Sequence, residues 1–67
     1  MNRQQLIRAL RKYCRKRNIR FELEERKGKG SHYVVTVADK TSTLQHDLNP
    51  GRIERFLKQI AVNPADL

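Results

Sequence analysis

Apolar residues at Leu6, Ile7, Leu10, Tyr13 and Cys14 recur three and four positions apart, the spacing of one face of a helix. They predict a helix over residues 3–17, opened by Asn2 and Gln5, a pair placed to form a capping box. From Ile19 the period falls to two: Ile19, Phe21 and Leu23 alternate with Arg20, Glu22 and Glu24, as in a strand with one buried face. Two glycines in residues 26–31 supply a hairpin, and Tyr33, Val35 and Val37 then alternate with His32, Val34 and Thr36. Tyrosine and two valines make the better core face, so His32 is expected on the opposite side of the sheet. Residues 38–42 read as a turn and residues 43–46 as a short third strand. Asn49 before Pro50 then starts a second helix, whose apolar stripe is Ile53, Phe56, Leu57 and Ile60, and the Asn63-Pro64 pair ends it.

The order is α-β-β-β-α with no linker or repeat, an α+β domain occupying residues 1–67. Three antiparallel strands with both helices on one face satisfy every apolar stripe and leave the other face of the sheet open. A chain of 67 residues has room for one small core and no deep substrate cavity. The longest apolar run, residues 33–38, is far short of a membrane span, and the arginine-bearing start lacks the apolar region of a secretory signal. One cysteine forms no internal disulfide framework, and no ligand spacing of a metal site is present. The expectation is a soluble, cytoplasmic protein with Cys14 as a core thiol, and with no metal and no cofactor.

Charge changes this picture. The net charge is +8, and the first 20 residues carry eight Lys and Arg with no acid, while the remainder balances seven bases against seven acids. Arg8, Arg11, Lys12 and Arg15 share the polar face of the first helix. A one-sided basic ridge favours a polyanion through counterion release, which points to nucleic acid or to a strongly acidic protein.

Candidate chemistry centres on residues 27–32. A Ser31–His32 nucleophile pair is disfavoured, because neighbours on a strand point to opposite faces and no third orienting residue is evident. Proton transfer by His32 fits better, since an imidazole serves as acid or base near neutrality. Arg26, Lys27 and Lys29 precede it, and the amides of Gly28, Gly30 and Ser31 allow close approach by a phosphate. On these residues alone, the favoured reading is an ordinary glycine-lysine hairpin with solvated lysines and an indifferent histidine, because such hairpins are common.

Lys29-Gly30-Ser31-His32-Tyr33, then His46, then the run from Asp47 through Pro50, Gly51 and Ile53 to Ile60, together resemble the HicA family of toxin ribonucleases over nearly the whole chain. The resemblance implies a fold like that of double-stranded-RNA-binding domains and cleavage of messenger RNA without a metal. It also implies His32 as the catalytic residue and a HicB-type antitoxin that covers the His32 face; separately, the protein alone is expected to be monomeric. Where the family commonly has a proline before the histidine that follows the third strand, this chain has Gln45. His46 is the candidate for a second acid or base, though strand phase argues against it: it shares parity with Leu44, which should point inward, and it could instead cap the turn before the second helix. The competing function is a non-catalytic RNA-binding module that uses the basic first helix and the Lys29 loop.

Overall fold

Residues 2–26 and 32–67 are described by the computed structural model. Helix α1 (Arg3–Lys16) begins with the expected capping box. Asn2 Oδ1 accepts from the Gln5 amide at 2.8 Å, and Gln5 Oε1 accepts from the Asn2 amide at 3.0 Å. Strands β1 (Phe21–Arg26), β2 (His32–Val37) and β3 (Lys40–Gln45) follow, then helix α2 (Pro50–Gln59) and a 3-10 turn (Pro64–Asp66). Asn49 caps α2 by accepting from the Arg52 amide at 2.9 Å, with Pro50 in the first turn, where its missing N–H costs nothing.

Both helices end in the same device. Past α1, Asn18 adopts φ 54° while the Ile19 amide donates to Cys14 O at 2.8 Å and the Asn18 amide to Arg15 O at 3.3 Å. Past α2, Ala61 adopts φ 56°, with the Val62 amide donating to Leu57 O at 2.9 Å and the Ala61 amide to Lys58 O at 3.2 Å. These are Schellman motifs, which turn the chain back and drop the next apolar residue, Ile19 or Val62, onto the core. Neither has the usual glycine in the left-handed position, so neither was legible in the sequence.

The sheet order is β1-β2-β3, antiparallel throughout. Leu23, Val35 and Ser42 lie in one row and Glu25, Tyr33 and Leu44 in the next, on the face that packs against the helices. Tyr33, Val35, Val37 and Leu44 join Leu6, Leu10, Cys14, Phe56, Leu57 and Ile60 in one buried cluster. Ser42, the buried polar residue among those described, hydrogen-bonds the Gln59 side chain and so ties β3 to α2. The other face carries Glu22, Thr36 and Thr41, then Glu24, Val34 and Thr43, then Arg26, His32 and Gln45, none of them buried.

Two strands differ from expectation in their boundaries. The third strand starts at Lys40 rather than at residue 43 and ends at Gln45, leaving His46 in a bend. The expected five-residue turn is a two-residue connection, because Val37 pairs with Lys40 and Ala38 takes φ 57°. A Lys-Thr-Ser-Thr run looks like loop by composition, yet threonine is β-branched and suits the open face, where Thr36 and Thr41 hydroxyls meet at 3.1 Å. The first strand starts at Phe21 instead of Ile19, which the α1 motif has taken.

Candidate functional site

His32 opens β2 on the open face, half-buried, at the end of the sheet where β1 leaves and β3 finishes. Alternation dictates this placement: Tyr33 must enter the core, so its predecessor faces away. Directly beside His32 on β1 is Arg26, and directly beside it on β3 is Gln45. Side chains opposite one another in an antiparallel pair are about 5 Å apart at Cβ, so the three form a continuous row across the sheet end. Gln45 is held from a fourth position: Arg52 Nη1, in the first turn of α2, donates to Gln45 Oε1 at 3.1 Å and to the Asp47 carbonyl at 3.1 Å.

The remaining open face is not a basic surface. Glu22 pairs with Arg20 at 2.6 Å, and Glu24 lies 3.6 Å from the Arg26 Nε. Among the described residues, the positive side chains at the His32 end are Arg26, itself beside Glu24, and Arg52. Lys27, Gly28, Lys29, Gly30 and Ser31, which sequence placed beside His32 as phosphate-binding residues, lie outside the described residues.

His46 is exposed in the bend that follows Gln45, one residue along the chain from the partner of His32. Because it has left the strand, the alternation that set it on the core side no longer governs its direction. Asn49 caps α2, as expected. Arg8, Lys12 and Arg15 lie on the outer side of α1, which packs on the core face of the sheet, and Arg11 lies at its margin beside Phe21 of β1. Their ridge and the His32 row thus lie on opposite sides of the sheet layer, and the fold does not combine them into one surface.

Three arginines have partners that sequence reading missed. Arg3 sits 4.0 Å from the ring centroid of Tyr33, Arg17 4.1 Å from that of Tyr13, and Arg11 5.7 Å from that of Phe21. Such stacking is attractive through the ring quadrupole and hides part of each guanidinium stem from water. Gln45 was also missed, and Arg26, though named among the bases that precede His32, was not placed directly across from it. The parity of Arg26 with Glu22 and Glu24 did mark it as polar-face, but nothing along the chain says which residue of the next strand it meets.

Cys14 is 1% exposed, and burial pushes its thiol above the ordinary value, with the Arg17 charge pulling weakly the other way. Among the described residues, no three His, Cys, Asp or Glu side chains gather as a metal site would need. No described helix is long and apolar enough to cross a membrane. No family model matches the chain, and no curated protein and no solved structure matches it.

Proposed function

We propose that this protein is an endoribonuclease of the HicA type that cuts messenger RNA without a metal, with His32 as its proton-transfer residue, and that a HicB-type antitoxin neutralises it by covering the His32 face. The observation that carries the proposal is the position of His32: half-buried on the open face, at the first residue of β2, with Arg26 on one side and Gln45 on the other. An imidazole so placed can reach a backbone phosphate from the open face of the sheet.

In the reaction the substrate supplies its own nucleophile. A base takes the proton of the ribose 2′-hydroxyl, the 2′-oxygen bonds to the adjacent phosphorus, and the bond from phosphorus to the 5′-oxygen breaks. An acid gives that oxygen a proton, leaving a 2′,3′-cyclic phosphate and a free 5′-hydroxyl. His32 fills one of the two roles, and His46, next to Gln45 in the chain, is the nearest candidate in sequence for the other. Charge that develops on the phosphate oxygens would be met by a lysine or arginine near the phosphate, for which Lys29 is the best placed by sequence and Lys27 next.

The deciding experiment incubates purified wild type and His32→Ala with RNA in excess chelator. Cleavage should fall about a hundredfold or more in the variant, the usual size of a lost acid-base contribution. Stability should stay within about 1 kcal/mol of wild type, as for other surface substitutions. A folded variant that cuts at the wild-type rate would remove His32 from catalysis. A wild-type protein that binds RNA and never cuts it would leave the non-catalytic RNA-binding module. In cells, expression without the antitoxin should arrest growth.

A further inference from the structure

We propose that Arg26 and Gln45 are phosphodiester-binding residues that grip the scissile phosphate on either side of His32, and that Arg52 positions Gln45 for this. The inference rests on the ribonuclease reading for its substrate, whereas the site itself follows from the strand register. Arg26, His32 and Gln45 form the last row of the open face, two strand spacings or about 10 Å across, which is the scale of one phosphodiester with its flanking sugars.

Each member has a distinct chemistry. Arg26 offers a planar fork of N–H donors that matches two phosphate oxygens, an interaction an ammonium cannot reproduce. Its present partner is Glu24 at 3.6 Å, with both side chains more than half exposed. A pair of that kind is weak, so an incoming phosphate can displace it. Gln45 would be ambiguous on its own, since an amide both donates and accepts. Here Arg52 Nη1 occupies the amide oxygen at 3.1 Å, which leaves the N–H₂ group as the end available to a ligand. An acceptor aimed at a phosphate would repel it, and the hydrogen bond from Arg52 prevents that orientation. Arg52 is itself fixed by the Asp47 carbonyl at 3.1 Å, in the first turn of a helix whose N-terminus adds favourable potential for an anion.

The arrangement also accounts for acids on the open face of a basic protein. Glu22 and Glu24 occupy the two rows beyond the proposed site and would turn phosphates away from the rest of the sheet. The backbone of the RNA is thereby confined to the His32 row. Removing Glu24 should loosen that restriction and release Arg26 at the same time.

The test uses the full chain and two probes: a 2′-O-methyl RNA oligonucleotide, which cannot be cut because its nucleophile is blocked, and inorganic phosphate. Arg26→Gln should weaken oligonucleotide binding by about tenfold or more, the value of one charge-assisted hydrogen bond. Arg26→Lys should restore only part of this, and Glu24→Gln should tighten binding. Gln45→Ala and Arg52→Ala should each weaken it, and the double variant should be no worse than the stronger single one, because the two act as a unit. Phosphate titration should shift the His32 imidazole resonances in wild type and not in Arg26→Gln. If Arg26→Gln and Gln45→Ala, verified as folded, bind and cut like wild type while His32→Ala is inactive, the flanking site is wrong and the ribonuclease reading stands. If no variant or wild type cuts RNA yet Arg26→Gln still loses binding and the imidazole shift, the site stands and the ribonuclease reading fails.

Discussion

The guanidinium of Arg11 lies 5.7 Å from the ring centroid of Phe21, so one base of the helix-one ridge belongs to the seam between α1 and β1. Arg8 and Arg15 are exposed on the same helix and have no such aromatic partner among the described residues. Charge and packing can therefore be separated by mutation. Arg8→Gln with Arg15→Gln should leave stability within about 0.5 kcal/mol. It should also weaken RNA binding and flatten its salt dependence, by roughly 0.7 in logarithmic slope for each phosphate of a single strand that is no longer neutralised. Arg11→Gln alone should lower stability by about 0.5–1 kcal/mol. Affinity measured at two salt concentrations and urea unfolding decide both; unchanged affinity in the double variant would reassign the ridge to a protein partner.

Leu44 and Thr43 are neighbours on β3 and face opposite ways, one 1% exposed in the core and the other on the open face. Leu44→Ala should cost about 2–5 kcal/mol, a large share of the stability of a domain this small. Thr43→Ala should stay within about 0.5 kcal/mol. Urea midpoints for the two variants test the strand phase that places His32 on the open face, because both depend on the same alternation.

Ala38 and Ala61 hold left-handed conformations at φ 57° and 56° that glycine occupies without a Cβ clash. Ala38→Gly and Ala61→Gly should each stabilise the protein by about 0.5–1 kcal/mol, the conformational relief outweighing the added freedom of the unfolded chain. Thermal unfolding would show a rise in midpoint for each. A fall at either position would mean that the turn there is not of the left-handed kind.

Burial raises the Cys14 thiol, so the folded state holds its proton more tightly than the unfolded chain does. The associated stability is present in full below the unfolded thiol value of about pH 8.5 and is lost as pH rises from there through the raised folded value. Wild type should thus lose stability above that pH more steeply than Cys14→Ala, which lacks the group. Alkylating reagents should modify the native thiol slowly near neutrality and rapidly in urea, since Cys14 is 1% exposed. Equal rates in both states would contradict its burial.

Local chemistry was enough to determine the helices, the existence and order of the three strands though not all their boundaries, and the side of the sheet on which His32 stands. Leu6, Ile7 and Leu10 specify a helix by spacing, Asn2 and Asn49 specify where helices begin, and Tyr33, Val35 and Val37 specify which way His32 must point, all through neighbours within a turn or a pleat. What crosses between elements was not legible. Strand register depends on which two segments meet, so the row Arg26–His32–Gln45 exists only once β1, β2 and β3 are paired. Likewise Arg52 is one more helical base until α2 docks beside the end of β3 and its guanidinium reaches Gln45. The basic ridge of α1 was plain in the sequence, but that it faces away from His32 follows from packing, because one helix stripe and one sheet face must bury each other and everything else is turned outward.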